Sequence, residues 1–251
     1  MKLIIAVLEH IHERGILELN KFAQVELKLG WSRSKILSEC SNWDGIIVRS
    51  VINVDKELID KSTRLKFIGR AGTGLDNIDL NYAEYKKISL FTTPKANSIS
   101  AAEYTVAQIL CLTKNLYKAH QMVSERDYRR QLLEGRELSQ MTIGLIGLGN
   151  VGIEVANRLF AFGSNVVAYD PYSKHEQHFV NHGGNMINSF SDFLSELDVL
   201  SLHVRLTDET TNLLNQTAFN QMKQGAFLIN SARAGIIDDN ALIEALKSKK
   251  V

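Results

Sequence analysis

Proline and cysteine are scarce, two of each in 251 residues: Pro94, Pro171, Cys40 and Cys111. Two prolines so far apart exclude a Pro-rich linker or tail. Two cysteines build neither a disulfide framework nor a zinc cluster, so reduced thiols in a cytoplasmic protein, and no metal, are expected. Neither sign of charge prevails, since 29 Lys and Arg face 28 Asp and Glu for a formal net charge of +1. A chain so balanced has no electrostatic footprint for nucleic acid or an acidic membrane. Long apolar runs are missing too. The longest near the N-terminus covers residues 3–8 and is ended by Glu9 and His10. That is too short for a secretion signal or a membrane span, so no membrane association is expected. There is no internal repeat, no low-complexity segment, no G-x-S-x-G elbow and no P-loop.

What is present is an ordinary globular composition, 45% hydrophobic and 23% charged. It suffices for a sizeable core. At roughly 150 residues per domain, the length allows one or two domains. Short apolar runs alternate with helical patterns. LIIAVL (3–8), GIIV (45–48), KFIG (66–69) and SLFT (89–92) read as strands, with a helix over residues 55–62. Ser100 and Glu103 form a capping box that predicts a helix opening there and running toward Lys118. A polar stretch at 124–140 follows. The alternation then resumes with TIGLIGL (142–148), VVAYD (166–170), VLSLHV (199–204) and AFLINSA (226–232), each followed by a helix. The last helix opens near Asp238 or Asp239 and is expected to turn Leu242 and Leu246 inward. This rhythm predicts α/β architecture, with parallel sheets covered by helices on both faces. The domain change is expected near Asn97, giving domains 1–96 and 97–251.

One motif carries chemistry. Gly147, Gly149 and Gly152 fall in the pattern G-x-G-x-x-G. The motif follows a predicted strand and opens a predicted helix with Val151, Val155, Leu159 and Phe162 on its apolar face and Gly163 at its end. Asp170 closes the next strand. That is the context of a dinucleotide-binding fingerprint. Gly147 permits the tight turn, Gly149 lets backbone approach a pyrophosphate, and Gly152 lets helix and strand pack closely. The amides of Asn150 and Val151 would sit at a helix N-terminus, where anions bind. Asp170 would accept from the ribose hydroxyls and repel a 2′-phosphate, which favours NAD over NADP. Arg233 lies just past a strand's C-terminal end, where a guanidinium can grip a carboxylate bidentately. His175, His178 and His182 have a spacing that metal ligands use, but their polar segment reads as a solvated helix.

With HVRLTDET (203–210), NSARAGIIDDNAL (230–242), IIVRS (46–50), GRAGTGLDNID (69–79) and NSISAAEYT (97–105), the sequence resembles the D-isomer-specific 2-hydroxyacid dehydrogenases. It is most similar to their phosphoglycerate dehydrogenase branch, and the likeness covers essentially the whole chain. The resemblance implies two Rossmann-like domains: a flavodoxin-like substrate domain and an NAD-binding Rossmann domain. It implies hydride transfer between NAD and a small 2-hydroxy or 2-keto acid. The first candidate is 3-phosphoglycerate, in serine biosynthesis; glyoxylate, hydroxypyruvate and D-lactate are alternatives. It also implies a homodimer packed through the nucleotide domains.

Residue by residue, Arg233 falls on the family's catalytic arginine. Thr73, Gly147, Gly149, Asn150, Val151, Gly152, Asp170, His203, Val204, Ser231, Ala232 and Arg233 fall on cofactor positions. Arg49, Ser50, Arg70, Gly72 and Asn97 fall on positions for the substrate's carboxylate or phosphate. The chain departs from the family at Arg205, where proline is common, at Ala234 in place of a glycine, and at Ile52 and Asn53, where phosphoglycerate dehydrogenases often carry Thr and Lys. The family's proton donor, a histidine oriented by a glutamate, lies downstream of Arg233 and beyond residue 251. The resemblance therefore carries the expectation of a C-terminally truncated, inactive chain. A non-catalytic NAD(H)-binding or redox-sensing relative is the alternative.

Overall fold

Runs of Ile, Val and Leu with no polar face become strands covered on both sides, because a parallel sheet buries both its surfaces. The computed structural model describes residues 2–251. Its strands are β1 (Leu3–Val7), β2 (Ala23–Leu27), β3 (Gly45–Val48), β4 (Phe67–Arg70), β5 (Ser89–Thr92), β6 (Thr142–Ile146), β7 (Asn165–Tyr169), β8 (Asn185–Met186), β9 (Val199–Leu202) and β10 (Phe227–Asn230). They form two sheets in the orders β2-β1-β3-β4-β5 and β10-β9-β6-β7-β8. Every pairing within them is parallel. The chain divides into two compact units, the first ending at Asn97 and the second running from Ser98 to Val251.

The first unit is built around Trp43, Ile46, Leu58 and Ile68. In the second, strand alternation sorts side chains to two faces. Ile143, Leu145, Val166 and Ala168 join one cluster, and Ile146, Val167 and Leu200 join the other. No helix among the described residues is long and apolar enough to cross a membrane.

Several local expectations need correction. β2, with sequence AQVEL, is an edge strand whose apolar residues are interrupted by Gln24 and Glu26, so it does not stand out as an apolar run. The helix expected from Ser100 begins at Ser98, so the capping box does not form; Glu103 lies 3.7 Å from Arg158 instead. That helix stops at Thr113, and a second runs from Leu116 to Ser124. Between them Asn115 adopts a left-handed conformation (φ 54°), and its side chain donates to the Glu134 carbonyl at 2.7 Å. Asparagine tolerates that region better than most residues.

The helix Asn150–Ala161 buries Ile153, Val155, Ala156 and Leu159, while Phe162, expected on the apolar face, is 45% exposed. Phe162 is already the C-cap, where the helical period no longer applies. Gly163 follows with φ 69°. The helix Asp239–Lys247 is capped by Asp238 and turns Ala241 and Ala245 inward, leaving Leu246 55% exposed. Both alanines join the apolar cluster that also holds Phe219 and Leu200.

Candidate functional site

Chain order reverses between β6 and β9 in the second sheet: β7 and β8 follow β6 to one side, β9 and β10 lie on the other. Open α/β sheets bind ligands at the carboxyl ends of the strands flanking such a point. Gly147, Leu148 and Gly149 follow β6, and His203 and Val204 follow β9.

The three glycines meet three different constraints. Gly147 has φ 95°, and a Cβ there would press on the His203 backbone at 2.9 Å. A Cβ on Gly152 would collide with the Gly147 carbonyl oxygen. Gly149 faces open space, with nothing within 4 Å of where its Cβ would stand. It caps the helix Asn150–Ala161, so the first turn of that helix begins beside that space. Phosphate groups bind at such a place, backed by the helix dipole.

Asp170 stands at the end of β7 and stiffens this loop. One of its oxygens accepts from the Leu148 amide at 2.8 Å and the other from the Tyr172 amide at 2.9 Å. The residue remains half-buried. The His203 ring lies 3.0 Å from the Ser201 hydroxyl, and burial pushes its pKa down to about 4. Its imidazole is therefore neutral at pH 7 and a poor proton donor.

At the end of β10 the chain turns sharply. The Asn230 side chain bridges the turn, accepting from the Ala232 amide at 3.0 Å and donating to the Arg233 carbonyl at 2.9 Å. The Ser231 hydroxyl pairs with buried Thr105 at 2.9 Å, which ties the turn to the helix Ser98–Thr113. The Arg233 guanidinium donates to the Ala232 carbonyl at 2.9 Å and is half-buried. Arg205 is exposed, and its carbonyl accepts from Thr210.

In the first unit, Arg70 is buried, and its guanidinium occupies the space a Cβ on Gly72 would need. The Thr73 hydroxyl lies 3.2 Å from the Pro94 carbonyl and 3.3 Å from the Asn97 side chain, so two expected site residues touch. Arg49 and Ser50 are exposed just past β3.

Sequence reasoning missed Asn230, Thr105 and Glu9. Asn230 and Glu9 carry a faint signal, each a polar residue at the C-terminal end of an apolar run. The helix carrying His178 is Glu176–Asn181, so His175 and His182 are its caps. The His178 and His182 rings lie 4.1 Å apart, and His182 Nδ1 lies 2.7 Å from the His178 carbonyl. Among the described residues no group of three or more His, Cys, Asp or Glu is placed to hold a metal.

Comparison with known proteins bears on these loops. The family model for the NAD binding domain of D-isomer specific 2-hydroxyacid dehydrogenases matches residues 106–251. The D-3-phosphoglycerate dehydrogenase of Archaeoglobus fulgidus is 40% identical over 252 residues, covering 100% of this chain and 47% of its own length. The human D-3-phosphoglycerate dehydrogenase is 37% identical over 225 residues, covering 90% of this chain and 42% of its own length. The chain thus spans about half the length of the curated relatives it matches. Among solved structures, D-lactate dehydrogenase from Aquifex aeolicus, complexed with NAD and lactic acid, matches at 31% identity with a TM-score of 0.87, over 98% of this chain and 74% of that one. The TT0316 protein from Thermus thermophilus matches at 29% identity with a TM-score of 0.88, over 98% of this chain and 78% of that one.

Proposed function

Since the chain belongs to the D-isomer specific 2-hydroxyacid dehydrogenases, we propose that it acts as an NAD-dependent oxidoreductase on a small D-2-hydroxy acid. The substrate in this reading is 3-phosphoglycerate, and the setting is serine biosynthesis in the cytoplasm. Residues 97–251 serve as the NAD-binding domain and residues 1–96 as the substrate domain. The observation that carries the reading is the open cradle at Gly149, at a helix N-terminus and beside a carboxylate at the end of the next strand.

NAD fits that cradle. Gly147, Gly149, Gly152, Asn150 and Val151 would face its pyrophosphate, and Asp170 its adenosine ribose. His203, Val204, Ser231 and Ala232 would line the remainder. When bound, NAD supplies or takes up the hydride. Arg233 grips the substrate carboxylate and stabilises negative charge on the oxygen at C2. Its turn is already shaped by Asn230 and Ser231, so little ordering is left for the moment of binding. Arg49, Ser50, Arg70, Gly72 and Asn97 hold the substrate's carboxylate or phosphate. His203 stays neutral and orients rather than protonates.

The test is to titrate the protein with NADH by fluorescence, then follow NADH absorbance as it forms from NAD+ with 3-phosphoglycerate or D-lactate and as it is consumed with glyoxylate or hydroxypyruvate. NADH binding with 3-phosphoglycerate-dependent turnover supports the reading; absence of NADH binding refutes it. A homodimer belongs to the same proposal. Ile99, Tyr104, Leu112, Leu116, Tyr117 and Val123 are each exposed on the two helices that open the second unit, and in this reading a second copy would cover part of them. Light scattering on the eluting protein gives the mass directly, and a monomer would refute this part.

A further inference from the structure

Four consecutive backbone amides in the first unit converge on one side chain. The amides of Arg49 and Ile52 donate to Glu9 Oε2 at 2.6 and 3.2 Å, and those of Ser50 and Val51 donate to Glu9 Oε1 at 3.1 and 3.0 Å. Glu9 lies just past β1, and the turn 49–52 lies just past β3. β1 and β3 are neighbours, and chain order reverses between them. This is therefore the switch point of the first sheet, the place where such sheets take ligands.

Little else holds the turn. No backbone–backbone hydrogen bond among the described residues uses these four amides. Val51 is 78% exposed, and Arg49, Ser50 and Asn53 are exposed as well. Only the far end is anchored independently, by the Asn77 side chain donating to the Ile52 carbonyl at 2.6 Å. The Arg49 guanidinium donates weakly to the His10 carbonyl at 3.4 Å, so the segment that shapes its backbone also touches its side chain.

We propose that Glu9 is the positioning residue for Arg49: its carboxylate templates the 49–52 turn as a nest of amides around an anion and so sets where Arg49 meets the anionic group of a substrate. The role of Arg49 rests on the functional reading above; the nest itself does not. Convergent amides of this kind form anion-binding concavities. Partial burial works to raise the Glu9 pKa, but the amides of Arg49, Val51, Ile52 and Ser50 outweigh it and hold the pKa below the usual value. Glu9 is thus ionised at neutral pH, and all four bonds are charge-assisted. A glutamine could serve one amide pair with its oxygen but would turn a donor toward the other pair.

The experiment uses isotope-labelled protein and the exchange rates of the four amides. In Glu9→Ala all four are expected to lose protection while β1 and β3 keep theirs, and added formate should restore protection by refilling the nest. Oxalate, a small dicarboxylate, probes the consequence in the presence of NADH. Glu9→Ala should weaken oxalate binding about tenfold, as Arg49→Ala does, and leave NADH affinity unchanged. Should Glu9→Ala fail to fold, Glu9→Gln is expected to lose protection at one amide pair only. Amides that stay protected without Glu9, or that formate does not restore, overturn the nest. Lost protection with unchanged oxalate affinity, where Arg49→Ala does weaken it, overturns the positioning role. If Arg49→Ala leaves oxalate binding intact, the functional reading of Arg49 fails and the positioning role with it, while the exchange data still decide the nest.

Discussion

Gly149 and Gly152 stand three positions apart and require glycine for opposite reasons. The first borders open space, the second a carbonyl. Gly149→Ala is therefore expected to change stability by less than about 0.5 kcal/mol. It should also weaken NADH binding by at least about tenfold, because the added methyl occupies the cradle. Gly152→Ala should cost about 1–3 kcal/mol of stability, as overpacking does, and urea denaturation separates the two cases. At Asp170, NADH should bind at least about tenfold more tightly than NADPH, and Asp170→Ala should narrow that gap. Equal affinities in the wild type would mean that exposed Arg205 offsets Asp170. In a chain extended at its C-terminus to the length of its relatives, Arg233→Ala should lower kcat/KM by about 100-fold, or ~2.7 kcal/mol, with NADH affinity nearly unchanged. These glycines and Asp170 were legible in the sequence because the fingerprint is local. Glu9 left only a faint signal, since its partners lie about 40 positions away.

At the scale of strands, the two sheets share a device at their amino ends. Asp44 precedes β3 and accepts from the Ile4 amide of β1 at 2.9 Å, with Arg64 and Lys66 at 3.0 and 3.1 Å. Asp198 precedes β9 and accepts from the Thr142 amide of β6 at 2.9 Å, with Arg136 and Lys223 at 3.0 and 3.6 Å. Each carboxylate ties the pair of strands flanking the switch point. The Ile4 amide is the largest influence on Asp44 and, with the two cations, holds its pKa low against burial. Burial is the largest influence on Asp198 and raises its pKa, but the Thr142 amide and the cations prevail and lower it. A depressed folded pKa contributes stability that is complete above the unfolded value, about 3.9, and is lost as pH falls through the folded value. Urea midpoints should therefore drop below about pH 4. Asp44→Asn should cost about 1–3 kcal/mol at pH 7 and much less at pH 3. A cost independent of pH would show that the charge is not what matters there.

At the scale of the whole molecule, each unit has its own core, and both tryptophans, Trp31 and Trp43, belong to the first. Tryptophan fluorescence during heating thus follows the first unit alone. A ligand at 100 times its Kd adds about 2.7 kcal/mol to whatever it binds. NADH should accordingly raise the transition seen by calorimetry in residues 98–251 and leave the tryptophan transition in place. A tryptophan curve that shifts equally would show the two units to melt as one.

Much was settled by sequence alone. Eight of the ten strands, the parallel α/β class and the glycine loop all follow from periodicity and spacing, which act over a few residues. Tertiary structure decided what depends on neighbours far along the chain. It made AQVEL an edge strand, broke the long helix at Asn115, and buried Ala241 and Ala245 rather than Leu246. It also brought Asn230 and Thr105 around the Arg233 turn and wrapped the 49–52 amides around Glu9. A hydrogen bond between distant residues leaves no periodic trace in either of them, because its geometry exists only once the sheet has aligned the strand ends.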